Sequence, residues 1–214
     1  AQLAAGGRVP VTDVRVLMIA ALDSPTGTAQ GVLTSKDAES ITKHFKATDD
    51  YGRIMLTSSA SGIYGNFGQS NYGAAKAAMI GLMNVLSQEG AKNNIRVNTL
   101  APAAATRMLE GLFSEEAAKL MAPELVTPGV LFLVSENAPT KTILGAGAGC
   151  FSVVHIYETP AVFVGGANAT VDDVAANWAK ISDPTNEQPL DAAFAQTNKF
   201  VTAAAKAQGV KTKS

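Results

Sequence analysis

The chain has 214 residues, 47% of them hydrophobic, with 17 basic side chains against 18 acidic ones. That length and apolar content suit a single α/β domain with a full core, and the balanced charge removes the electrostatic case for nucleic acid or an anionic membrane. A small-molecule partner is the expectation, and the lone cysteine, Cys150, excludes an internal disulfide and fits a reducing, cytoplasmic setting.

In chain order, Val14 to Ala20 reads as a strand, Asp23 to Gly27 as a turn and Lys36 to Lys46 as a helix. No apolar run reaches the length of a transmembrane helix, and Val14 to Ala21 lacks the flanks of a secretory signal. Asp49-Asp50-Tyr51-Gly52 turns into Arg53 to Thr57, a buried strand whose polar exit places Ser59 at the carboxyl edge of a sheet. Open α/β folds bind ligands at that edge. Tyr72 to Glu89 reads as a helix, with Ala75, Ala78, Met79, Leu82, Val85 and Leu86 recurring at three- and four-residue spacing and Gly90 as its stop. The strand Ile95 to Leu100 follows, and strands alternating with helices predict a parallel sheet.

Tyr72 and Lys76 share a helix face at i and i+4. A phenol exchanges protons near neutrality only beside a cation that favours the phenolate, and Lys76 is that cation. The pair alone is weak, because aromatic and lysine residues meet at this spacing on many solvated helix faces. Ser59 at the preceding strand exit changes its weight, since a hydroxyl there holds a carbonyl or alcohol while the tyrosine moves the proton.

With Ser59, Tyr72 and Lys76 in these places, the chain resembles the short-chain dehydrogenase/reductase family. Tyr51-Gly52-Arg53-Ile54, the run from Ser58-Ser59-Ala60-Ser61-Gly62 to Gln69, Ile95-Arg96-Val97-Asn98, Ala101-Pro102 and Thr106-Arg107-Met108 are similar to its (3R)-hydroxyacyl-CoA dehydrogenase branch. The resemblance implies a Rossmann-like parallel sheet flanked by helices, with Ser59, Tyr72 and Lys76 catalytic. It further implies that Thr57, Ser58, Tyr72, Lys76, Pro102 and Thr106 contact NAD or NADP. The implied substrate is an acyl thioester, and the implied assembly is a homodimer or homotetramer. In the family the region from Ala101 to Ala122 closes over cofactor and substrate.

The resemblance runs from about Tyr51 onward. Residues 1–50 form a divergent segment with no Gly-rich turn after a strand, and they contain no Asn to match the family's catalytic one. Three βα units ahead of the Ser59 strand need roughly ninety residues, at about thirty per unit. A chain that starts on Ala reads as a fragment, a processed product or a divergent form. Gly145-Ala146-Gly147-Ala148-Gly149 imitates a dinucleotide fingerprint but precedes a strand, Phe151 to His155, so it reads as a tight turn.

Residues 51–158 are thus the catalytic part, and 159–214 a helical extension of the same domain. In the extension Thr170-Val171-Asp172-Asp173 resembles a capping box opening a helix through Val174, Trp178 and Ile181, and a second helix runs from Leu190 to Ala205. Trp178 and Cys150 read as core residues. With one cysteine, isolated histidines at 44 and 155 and no clustered carboxylates, a metal site is not expected. The reading is an oxidoreductase moving hydride between nicotinamide and the 3-hydroxy/3-oxo group of an acyl-CoA-type substrate. The alternative is a truncated, non-catalytic homologue that dimerises and cannot hold cofactor.

Overall fold

The computed structural model describes residues 16–20, 52–104 and 119–211. They fall into two compact units divided after Val154. In the first, the strands are β1 (Val16–Ala20), β2 (Gly52–Thr57), β3 (Ile95–Ala103), β4 (Ile143–Gly147) and β5 (Cys150–Val154). The helices are α1 (Ala60–Tyr64), α2 (Ser70–Gly90) and α3 (Thr127–Leu133). The sheet order is β1-β2-β3-β4-β5, parallel throughout except that β5 turns back antiparallel on β4. This is a mixed sheet of Rossmann type with its strands in sequence order. Among the described strands there is no reversal of the kind that makes a complete doubly wound sheet.

The apolar runs of β2 and β3 are buried on both faces, as central parallel strands are. Side chains alternate along a strand. Ile54, Leu56 and Val97 therefore meet Ile80, Met83 and Leu86 of α2, while Met55, Leu100 and Leu144 meet Val126 and Leu133 beside α3.

Helix α2 turns inward a face that only partly overlaps the one its apolar periodicity suggests, with Leu86 buried and Met79 and Leu82 packed beside it. Its buried residues are Lys76, Ile80, Met83, Leu86, Ser87 and Gly90, whereas Ala75, Ala78 and Val85 are exposed. The apolar residues surround so much of this helix that spacing alone does not choose a face; the fit to the sheet chooses it. Gly90 packs on Ile95, where a Cβ would lie 2.7 Å from the Ile95 Cβ. A larger residue there would push the helix end off β3.

Polar residues of the strands fasten the opposite end of the sheet from Ser59. Buried Arg53 donates to the carbonyls of Gly52, Asn94, Ser135 and Glu136 at 2.7–2.9 Å. Asn98 donates to the Pro139 carbonyl at 2.7 Å and accepts from the Thr142 N–H at 3.1 Å, and Arg96 donates to the Ala138 carbonyl. The bonds to Ser135, Glu136, Ala138, Pro139 and Thr142 satisfy backbone groups after α3 that lie outside any ladder.

The glycine-rich run forms the β4–β5 hairpin. Ala148 (φ 52°) and Gly149 (φ 72°) are its two-residue loop, both left-handed as a type I′ turn requires. Gly147 lies so close to β3 that a Cβ would stand 2.6 Å from the Ala103 carbonyl oxygen. Cys150, expected in the core, opens the last strand and is exposed.

The second unit, from His155, contains the two-stranded ribbon β6 (Tyr157–Glu158) and β7 (Gln188–Pro189). Its helices are α4 (Val171–Ala176), α5 (Trp178–Ile181) and α6 (Ala193–Gln208). Thr170 and Asp173 form the capping box the sequence suggests. The single helix expected through Ile181 is broken at Asn177, whose side chain bonds back to the Asp173 carbonyl at 2.9 Å. Trp178 is 61% exposed rather than a core anchor. Among the described residues no helix is long and apolar enough to cross a membrane.

Candidate active site

The site is built where β2 ends. Ser58 carries the ladder one step past Thr57, its N–H donating to the Leu100 carbonyl at 2.7 Å. Its buried hydroxyl donates to the Lys76 carbonyl at 2.8 Å, so Ser58 seats helix α2 on the strand exit. Ser59 is extended (φ −158°, ψ 156°) and caps α1, its Oγ accepting the Ser61 N–H at 3.2 Å. Capping consumes a lone pair of Oγ, not its hydrogen, so the hydroxyl keeps a donor.

Glycines bring α1 down onto α2. A Cβ on Gly62 would stand 2.7 Å from backbone atoms of Lys76 and Ala77, and one on Gly73 would stand 3.0 Å from the Ser61 carbonyl oxygen. The connecting loop is held by Gln69, whose amide oxygen accepts from Ser61 Oγ at 2.8 Å and from Asn66 Nδ2 at 3.1 Å. The contacts of Gly62, Gly73 and Gln69 are not signalled in the sequence, because a close approach between two elements has no local signature.

Tyr72 sits half-buried in the first turn of α2, and Lys76 follows one turn later. The Lys76 Nζ lies 5.6 Å from the centre of the Tyr72 ring, within the range of a cation–π contact. Lys76 is 5% exposed, and the Thr57 carbonyl is among its partners at 3.4 Å. A buried ammonium is tolerated only with such acceptors. Its charge is thereby held between the strand exit and the phenol. The structure thus brings together Thr57, Ser58, Ser59, Tyr72 and Lys76 at one strand exit.

Residues 34–117 match the family model described as short chain dehydrogenase. Over these residues the chain matches the short-chain dehydrogenase/reductase family. The match starts at residue 34, upstream of Tyr51, where resemblance is first legible by inspection. A Mycobacterium tuberculosis protein named as a short-chain type dehydrogenase/reductase is 43% identical over 145 residues, covering 65% of this chain and 49% of the relative. Peroxisomal multifunctional enzyme type 2 of Mus musculus is 45% identical over 140 residues, 64% of this chain and 19% of that enzyme. Acetoacetyl-CoA reductase of Acinetobacter is 40% identical over 101 residues, 42% of this chain and 41% of the reductase. The solved full-length peroxisomal multifunctional enzyme type 2 of Drosophila melanogaster superposes with a TM-score of 0.69 at 30% identity, over 80% of this chain and 32% of that one. The chain therefore spans half or less of the length of these relatives.

Pro102 lies in β3 opposite Ala146, beyond Leu100, the last residue that β2 pairs. A central strand tolerates a proline there because one side of the ladder has already ended. It thus stands at the same sheet edge as Ser59, while Thr106 and Arg107 lie outside the described residues. Arg96 and Asn98, in the neighbouring motif, work at the far end of the sheet and hold the loop after α3. The 145–149 run is occupied by the hairpin, so its glycines serve close packing and a tight turn. Among the described residues no group of His, Cys, Asp or Glu has the arrangement of a metal site.

Proposed function

We propose that this chain carries the catalytic part of an NAD(P)-dependent dehydrogenase acting on the 3-hydroxy/3-oxo group of an acyl thioester. What supports this reading is the buried Lys76 ammonium 5.6 Å from the centre of the Tyr72 ring, on the helix seated at the β2 exit where Ser59 caps α1. Support for the thioester comes from the likeness to acetoacetyl-CoA reductase and to the multifunctional enzymes.

The residues suit the nicotinamide end of a dinucleotide: Lys76 and Tyr72 would contact its ribose, with Thr57 and Pro102 beside them at the strand ends. The described residues do not include a phosphate-binding turn, and no phosphate contact is assigned. Bound nicotinamide supplies the hydride acceptor for C3 of a 3-hydroxyacyl group. Ser59 donates a hydrogen bond to the reacting oxygen and fixes its position. Tyr72, as phenolate, takes the hydroxyl proton while the carbonyl forms, and returns it in the reverse reduction. Lys76 provides the positive charge beside the phenol that this exchange needs. The exposed small face of α2, with Ala75, Ala78 and Val85, supports a homodimer or homotetramer.

The test is to titrate the protein with NADH and NADPH, following nicotinamide fluorescence, and then to add acetoacetyl-CoA. Saturable binding and turnover are expected, with Tyr72→Phe folding normally and losing about 10²–10⁴-fold in kcat. A folded chain that binds neither nucleotide would instead be a non-catalytic homologue.

A further inference from the structure

A cavity of about 430 Å³ opens directly beside the Ser59 exit, beginning at Ala60, Ile63 and Tyr64 of α1. Its floor is the β3-β4-β5 face of the sheet, where Ala101, Ala103, Gly145 and Gly147 carry almost no side chain. Elsewhere this face is filled by Ile54, Leu56, Val97 and Ile143, so the space results from this patch of small residues. Its volume lies in the range of small-ligand sites, about 300–1,000 Å³. Among the described residues the lining side chains include no charged group, and the polar ones are the Tyr64 and Ser152 hydroxyls and the Cys150 thiol. A phosphate or a carboxylate would be stranded there without a counter-charge. A hydrocarbon chain would not.

We propose that this cavity holds the acyl chain of the substrate, and that Ser152, on its floor opposite Gly145, sets how long a chain it accepts. The proposal rests on the thioester reading above and adds where the chain goes and which residue measures it. A chain running from the oxygen held by Ser59 enters the cavity at Ala60, the next residue. Ser152 pairs with Gly145 across the hairpin, and its Oγ is the first atom that a Cβ on Gly145 would meet, at 3.0 Å. A longer side chain at 152 therefore grows into the open space. Because Ser152 is exposed on the last strand, β5 tolerates the change.

The experiment compares wild type with Ser152→Leu, and with Ser152→Ala as a volume-preserving control, in two assays. The first is kcat/KM for four-carbon and sixteen-carbon 3-oxoacyl-CoA. The second is saturable binding of cis-parinaric acid, a fluorescent fatty acyl probe, which needs no turnover. Expected, in Ser152→Leu alone, are a loss of about tenfold or more on the sixteen-carbon substrate relative to the four-carbon one and weakened probe binding. Equal chain-length profiles in all three proteins, with unchanged probe binding, overturn the cavity assignment and leave the dehydrogenase reading standing. Absent turnover in wild type, with probe binding lost in Ser152→Leu, overturns the dehydrogenase reading while the cavity assignment stands. Should Ser152→Leu fail to fold, Met121→Ala, which widens the lining, is expected to raise sixteen-carbon turnover and probe affinity. No change in either would overturn the assignment.

Discussion

Ser59 has two duties that can be separated by substitution. Its oxygen caps α1, and in the proposed reaction its hydrogen faces the substrate. Ser59→Ala removes both, with an expected stability loss of about 1 kcal/mol. Ser59→Asn restores the cap, because an amide oxygen accepts the same N–H, but it does not restore the hydroxyl. Thermal melts run beside turnover of acetoacetyl-CoA should show stability recovered by Asn and activity recovered by neither variant. Full activity in Ser59→Ala would take Ser59 out of the chemistry. Ser58, its neighbour, is spent on the Lys76 carbonyl. Two adjacent serines that look interchangeable in sequence therefore work on different partners.

At the scale of elements, the site depends on how closely α1 lies on α2. Gly62 is the contact point, where an added methyl would stand only 2.7 Å from the Lys76–Ala77 backbone. Gly62→Ala must shift one helix, and overpacking of this kind costs about 1–3 kcal/mol. It should also lower turnover, since the shift separates Ser59 from Tyr72. Gly81, in the same long helix, has nothing within 4 Å of a Cβ. Gly81→Ala should therefore stabilise by roughly 0.5–1 kcal/mol and leave activity unchanged. Denaturant melts of the pair decide it: equal effects of the two substitutions would mean that the helix contact is looser than the geometry requires.

At the scale of the whole molecule, the two units have separate fastenings. In the second, Glu158 accepts from Lys199 Nζ at 2.5 Å and from Gln196 Nε2 at 2.8 Å. The Lys199 bond first, then the Gln196 bond, hold the Glu158 carboxyl below the ordinary glutamate value, about 4.3. A carboxyl with a lowered folded pKa adds stability that is present above its unfolded pKa and is lost as pH falls through the folded one. Wild type should thus melt slightly above Glu158→Gln at neutral pH, and the gap should close once acid protonates Glu158. The gap should be small because the pair is partly exposed. A gap that persists at acid pH would assign it to packing of the side chain instead of its charge.

The local chemistry of this chain was legible in its sequence. The strand Arg53 to Thr57, the helix after Tyr72, the Thr170 cap and the tight turn that ends the 145–149 run depend on neighbours within a few residues, and local patterns record such interactions. Contacts between distant segments leave no such record. The packed face of α2, the seating of Ser58 on Lys76, the closeness of Gly62 to Ala77 and the cavity floored by Ala101 and Gly145 were decided by tertiary structure. Each requires two surfaces, far apart in the chain, to fit within a few tenths of an ångström, and either sequence segment by itself is compatible with many other fits.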